Sequence, residues 1–147
     1  MLPLPLDFEW RFTPTSGEHV LSAAQALTKP GESIVLFGTP GVAAAAITKT
    51  IDRPIIFIGE DNAVSHAIIA LNQLQGRPLR VCVIKATTRM FPKAGVVVID
   101  PPWYFDFIQP MLAAATAACQ NDGHVLMSLL PAGTRPGAER DRDRIIA

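Results

Sequence analysis

The sequence predicts a doubly wound α/β domain built on a mostly parallel sheet. Three observations carry this. Five short runs, among them 33–37, 54–58 and 95–99, are apolar throughout rather than alternating, and such strands are buried on both faces. Stretches of helical length separate most of them, which calls for crossover helices covering the sheet on two sides. Glycines, acids and aromatic residues collect where the runs end, the edge at which such sheets bind ligands.

Taken in order, residues 1–15 read as an N-terminal arm and 16–147 as the domain. Thr15-Ser16-Gly17-Glu18 has the form of a capping box, with Thr15 as cap and Glu18 as its partner. The helix it opens is expected to run to about Lys29, stop at Pro30-Gly31, and bury Val20, Leu21, Ala24 and Leu27. Ser33–Phe37 is the first strand, and alanine-rich 42–50 the next helix. Pro54–Ile58 is the second strand, followed by a helix over 63–74 closed by Gly76. Leu79–Ile84 and Gly95–Ile99 are the third and fourth strands. A helix over 107–119 and a strand over 124–130 complete the regular part.

Composition narrows the function. The chain has 147 residues, 49% of them hydrophobic and 18% charged, with a mean hydropathy of +0.27. A disordered chain is excluded. Thirteen basic residues balance thirteen acidic ones, which disfavours gripping phosphate by bulk charge and leaves a local patch open. Arg77, Arg80, Lys85, Arg89 and Lys93 form either such a patch beside the site or, as is commoner, a solvated surface. Cys82 and Cys119 have no metal-ligand spacing and sit in apolar runs, so both are expected to be buried. Met1–Asp7 lacks the basic start of a secretion signal, and no apolar run reaches the ~18 residues of a spanning helix. A cytoplasmic protein with no membrane partner is expected.

Three strand ends bear on chemistry. Gly38-Thr39-Pro40-Gly41 follows the first strand, where glycine permits a tight turn and close approach by a ligand. It is not a triphosphate loop, because Ala43-Ala44-Ala45 stands where Gly-Lys-Ser/Thr is needed. It also lacks the G-x-G-x-x-G of nicotinamide-dependent dehydrogenases. Glu60-Asp61 follows the second strand, where an acid accepts hydrogen bonds from ribose hydroxyls of a nucleoside cofactor. Glu60 is assigned to the ribose and Asp61 to capping the next helix.

The third end is the most specific. Val96–Ile99 runs into Asp100-Pro101-Pro102-Trp103-Tyr104, which resembles the D/N-P-P-Y/F/W motif of class I S-adenosylmethionine-dependent methyltransferases acting on planar nitrogen, best known in the adenine-N6 group. The consecutive prolines stiffen the turn and remove two donors. By the resemblance, Asp100 and the Pro101 carbonyl accept hydrogen bonds from an amino group, Pro102 and Trp103 complete the catalytic motif, and Trp103 or Tyr104 stacks on a flat substrate. Gly38, Thr39, Gly41, Glu60 and Asp61 become the S-adenosylmethionine contacts. Two departures stand out: Pro40 interrupts the usual G-x-G turn, and Lys85, Ala86 and Thr87 supply no acid or amide for the cofactor's adenine.

The resemblance implies transfer of a methyl group to adenine in DNA or RNA, or to a protein side-chain nitrogen. A non-catalytic Rossmann-like interaction module is the alternative. It also implies seven strands, whereas five are legible here. The domain is therefore expected to be incomplete at its C-terminal side, or to be completed by a partner subunit or oligomer. The alternating charges of Glu139–Arg144 suit the start of an exposed helix.

Overall fold

The structure is a computed structural model that describes residues 12–49, 51–76, 79–84, 92–102, 104–129, 131, 133–134 and 136–146. Its strands are β1 (Ile34–Phe37), β2 (Ile55–Glu60), β3 (Arg80–Ile84), β4 (Ala94–Ile99) and β5 (Cys119–Met127). They form one sheet in the order β3-β2-β1-β4-β5, and every neighbouring pair is parallel. The helices are α1 (Pro14–Leu27), α2 (Pro40–Thr48), α3 (Ala63–Gln75), α4 (Phe105–Ala118) and α5 (Ala138–Ile146). The doubly wound α/β architecture expected from the apolar runs is present.

Alternate residues of each central strand feed two separate cores. Ile34, Leu36, Ile55, Phe57, Val96 and Val98 pack with residues of α1, α2 and α3 on one face. Val35, Ile56, Ile58, Val97 and Ile99 pack with Ala115 and Ala118 of α4 on the other. Sheet residues on both faces are thus removed from water, which is why these strands cannot alternate. Cys119 is buried in the second core, as its apolar setting implied.

Several boundaries move for local reasons. Thr13, not Thr15, caps α1: its side chain accepts from Ser16 N at 3.2 Å, and Pro14 takes the first helical position, where a missing N–H costs nothing. Glu18 is accordingly no capping-box partner and pairs with Lys49, the C-cap of α2. The helix ends at Leu27 because Thr28 turns extended and its hydroxyl bonds back to Ala24 O at 2.6 Å. Its buried stripe is Gly17, Leu21 and Ala24, and Leu27 is left 40% exposed. α3 closes as expected on Gly76, in the left-handed conformation at φ 59°. β5 begins at Cys119 rather than His124, directly after α4, with a register irregularity between Ala94 and Val96 absorbing the polar stretch Gln120–Gly123. Among the described residues no helix is long and apolar enough to cross a membrane.

Candidate active site

The strand order fixes where a site can be. β2 and β3 lie on one side of β1, while β4 and β5 lie on the other. The chain therefore leaves β1 for α2 on one face and leaves β4 for α4 on the opposite face, opening a crevice at their carboxyl ends. Phe37 is opposite Ile99 in the ladder. Gly38 and Asp100, the next residues of each strand, are therefore neighbours across that crevice.

On the β1 side, Gly38 adopts φ +65° and donates its N–H to Ile58 O at 2.8 Å. A Cβ there would meet only the Met111 Cε, at 3.6 Å, so the backbone conformation rather than crowding calls for glycine. Thr39 caps α2 through its carbonyl, which accepts from Val42 N and Ala43 N, both at 3.1 Å. Its side chain is 1% exposed, and the hydroxyl has no hydrogen-bond partner among the described residues. Gly41 lies one position beyond Pro40 and is packed rather than open. A Cβ on it would come within 3.2 Å of Phe12 O, while one on Gly17 would approach Gly41 O at 3.1 Å. The two glycines let α1 and α2 cross closely.

β2 ends on Glu60, whose side chain is exposed at the same edge, two residues past Ile58. Asp61 does not cap α3. Asn62 does, its side chain accepting from Val64 N and Ser65 N at 3.1 and 3.0 Å. Because β2 runs through Glu60, the cap falls one residue later, and Asp61 instead bonds His66 Nε2 at 2.9 Å.

On the β4 side, Asp100 is half-buried, Pro101 buried and Pro102 half-buried. The Pro102 carbonyl is taken up within the turn, accepting from Tyr104 N at 2.7 Å. Tyr104 is the N-cap of α4, its carbonyl receiving Phe107 N and Ile108 N, both at 2.9 Å. Trp103 lies outside the described residues, as do Arg77, Lys85, Ala86, Thr87, Arg89, most of the arm and the side chain of Cys82. Arg80 and Lys93 sit at the amino ends of β3 and β4, away from the crevice, and Lys93 Nζ caps chain carbonyls of Ala117 and Cys119 at 2.7 and 3.0 Å. Neither belongs to a basic edge beside the site.

Two features escape the sequence. Ser128, just past β5, donates its hydroxyl to Asp100 Oδ1 and its N–H to Ile99 O at 3.2 Å. The guanidinium carbon of Arg144 lies 4.2 Å from the centre of the Phe105 ring, tying α5 to the first residue of α4. Only the polar break after an apolar run hints at Ser128, and nothing in the spacing links residues 105 and 144. Among the described residues no group of three His, Cys, Asp or Glu is gathered to hold a metal ion. The crevice thus has an open glycine turn and an exposed carboxylate on one side, and a hydrogen-bonded carboxylate on a stiff proline turn on the other.

This architecture is the Rossmann-like fold seen in class I methyltransferases. Among solved structures, the chain matches a branched-chain polyamine synthase variant from Thermus thermophilus, in complex with N4-aminopropylspermidine and 5'-methylthioadenosine, at TM-score 0.68 and 13% identity over 98% of this chain and 44% of that one. An S-adenosylmethionine-dependent methyltransferase from Geobacter sulfurreducens, in complex with S-adenosylhomocysteine, matches at TM-score 0.57 and 18% identity, over 86% and 56% of the two chains. Coclaurine N-methyltransferase, bound to N-methylheliamine and S-adenosylhomocysteine, matches at TM-score 0.60 and 11% identity, over 77% and 34%. The chain spans less than two thirds of each of these proteins. No family model and no curated protein matches the sequence.

Proposed function

We propose that this chain is an S-adenosylmethionine-dependent N-methyltransferase acting on a planar nitrogen, with adenine N6 of DNA or RNA as the leading acceptor. A protein side-chain nitrogen is the next. The observation that carries the reading is the adjacency of Asp100-Pro101-Pro102 and the Gly38 turn across the β1/β4 crevice. Two of the fold neighbours hold S-adenosylhomocysteine, and one of them is named for N-methylation.

The residues fit the cofactor. Gly38 leaves its backbone accessible, Thr39 carries a buried hydroxyl with no described partner, and Glu60 is an exposed acceptor suited to ribose hydroxyls. Gly41 and Asp61 flank this set. When bound, S-adenosylmethionine supplies an electrophilic methyl group. Asp100 accepts a hydrogen bond from the substrate amino group and turns the nitrogen lone pair toward the methyl, with Pro101 O as second acceptor. Pro102 holds the turn rigid, and Trp103 and Tyr104 form the stacking platform. Positioning of this kind supplies most of the rate when little acid-base strength is needed.

The test is transfer of radiolabel from the cofactor to DNA, RNA and extract protein, run side by side. Label in adenine-containing nucleic acid is expected. Asp100→Ala should abolish transfer while leaving cofactor affinity nearly intact, and a variant with wild-type turnover contradicts the role given to Asp100. One observation favours a non-catalytic module instead: Pro40 at the first position of α2 removes an amide from the cofactor side. Calorimetry showing no binding of S-adenosylmethionine or S-adenosylhomocysteine decides for it. In either reading, a partner subunit or second copy extending the sheet is part of the proposal.

A further inference from the structure

Ser128 has no part in the motif or in the reaction just described, yet it touches the residue on which both turn. The register that sets Ile99 opposite Met127 sets Ser128 opposite Asp100. Its N–H to Ile99 O, at 3.2 Å, continues the β4/β5 ladder one step beyond the strands. Its hydroxyl then donates to Asp100 Oδ1. Both side chains are half-buried, so water competes for this bond less than it would on an open surface.

We infer that Ser128 is a positioning residue for Asp100, holding the plane of the carboxylate that an incoming amino group meets. Its catalytic consequence rests on the N-methyltransferase reading, but the orienting contact does not.

The physical argument has two parts. A residue before proline is confined to extended backbone, so Pro101 already restricts the main chain of Asp100. Proline does not fix the carboxylate plane, whose terminal torsion is broad and roughly two-fold. A hydroxyl donating to Oδ1 restricts that torsion. The second part concerns charge. An ionised carboxylate only accepts, whereas a protonated one also donates. In the bond from Ser128 the hydroxyl is the donor, so Oδ1 is held in the accepting role. A protonated Asp100 would bond the amino lone pair that has to attack, so keeping it an acceptor protects the nucleophile.

The test uses the full chain and two readouts. In carbon-13 spectra, the Asp100 Cγ resonance is assigned by its loss in Asp100→Asn. It should shift in Ser128→Ala and return toward its wild-type position in Ser128→Thr, which retains the hydroxyl. An unmoved resonance in Ser128→Ala overturns the inference whether or not the protein is an enzyme. Ser128→Cys, a weaker donor of similar size, serves if the alanine variant does not fold. The second readout is label transfer from tritiated S-adenosylmethionine to an adenine-containing single-stranded oligonucleotide. Ser128→Ala should lower kcat by up to about a hundredfold, as misplacing a reacting group does. The cofactor KM should hold, and Ser128→Thr should recover most of the loss. Unchanged kcat, or a rise in KM alone, overturns the positioning role. A wild-type chain that transfers no label to the oligonucleotide, to RNA or to extract protein defeats the N-methyltransferase reading and leaves the Cγ result to stand on its own.

Discussion

Thr39, in the glycine turn, carries a hydroxyl that is buried and has no partner among the described residues. An unsatisfied buried polar group costs about 1–3 kcal/mol, and removing it recovers part of that. Thr39→Val should therefore raise stability by about 1 kcal/mol, or about 2–4 °C in thermal midpoint for a chain of this size. Under the proposed function it should also weaken S-adenosylhomocysteine binding, because the ligand loses the hydroxyl it would bond. Scanning calorimetry and titration calorimetry read the two effects separately, and a destabilised variant contradicts the account of an orphaned hydroxyl. Residues of this kind differ in how legible they are. Asp100 and Gly38 stand out because proline pairs and glycines constrain backbone locally, and local constraint is written in adjacent letters. Asp61 and Asn62 are both good caps, and the choice between them depends on β2 extending through Glu60. Ser128 is not legible locally because its partner is 28 positions away, and only strand register brings the two together.

Between elements, backbone contacts tolerate less than side-chain contacts. Gly123 of β5 and Gly95 of β4 both lack room for a Cβ, but the obstacles differ. At Gly123 the nearest atom is the Gly95 carbonyl oxygen, 2.6 Å away, and a ladder carbonyl cannot move aside. At Gly95 it is the carboxylate of Glu32, the far end of a flexible side chain. Gly123→Ala should thus cost about 1–3 kcal/mol, the range for overpacking, and Gly95→Ala less, as denaturant midpoints will rank them. The opposite ranking would mean that β5 yields more easily than Glu32. A second link at this end joins Lys29, past α1, to Asp122 of β5. The hydrogen bond from Lys29, then its charge, lowers the pKa of Asp122, and the same bond raises that of Lys29. A lowered carboxylate contributes stability above its ordinary value of 3.8 and loses it as pH falls below. A raised lysine contributes fully below its ordinary value of 10.5 and loses that as pH rises beyond it. Asp122→Asn should therefore lower the thermal midpoint at neutral pH, show no difference from wild type in strong acid, and lose its effect in high salt, since both side chains are more than half exposed. Element identity here was legible wherever apolar runs met glycine or proline. The β5 start was not, because Gln120–Gly123 is polar and falls in the register irregularity between the Ala94–Cys119 and Val96–His124 pairs.

Over the whole molecule, the order β3-β2-β1-β4-β5 divides the crevice into two halves, to which the proposed function gives separate duties. Gly38, Thr39 and Glu60 come from the β1/β2 half, and Asp100, Pro101 and Ser128 from the β4/β5 half. The fold class was readable from strands buried on both faces, and the place of the candidate crevice follows from it, since a doubly wound sheet has its crevice where the winding reverses. The acceptor was not readable. Nothing in the described residues draws it, and Trp103 lies outside them. The division makes a prediction about linkage. A ligand bound only by the folded state stabilises it by about 2.7 kcal/mol at a hundred times its Kd, which for a domain of this size is about 5–11 °C in thermal midpoint. S-adenosylhomocysteine at such a concentration should produce that rise in the wild type and in Asp100→Ala alike, because the lost carboxylate belongs to the other half. Glu60→Ala should need about tenfold or more ligand for the same rise, the loss of one charged hydrogen bond being worth about 1.5–3 kcal/mol. If Asp100→Ala loses the shift and Glu60→Ala keeps it, the two halves have been assigned the wrong way round. If neither S-adenosylmethionine nor S-adenosylhomocysteine moves the midpoint at millimolar concentration, the crevice is not a cofactor site and the chain is a binding module that has kept the fold without the chemistry.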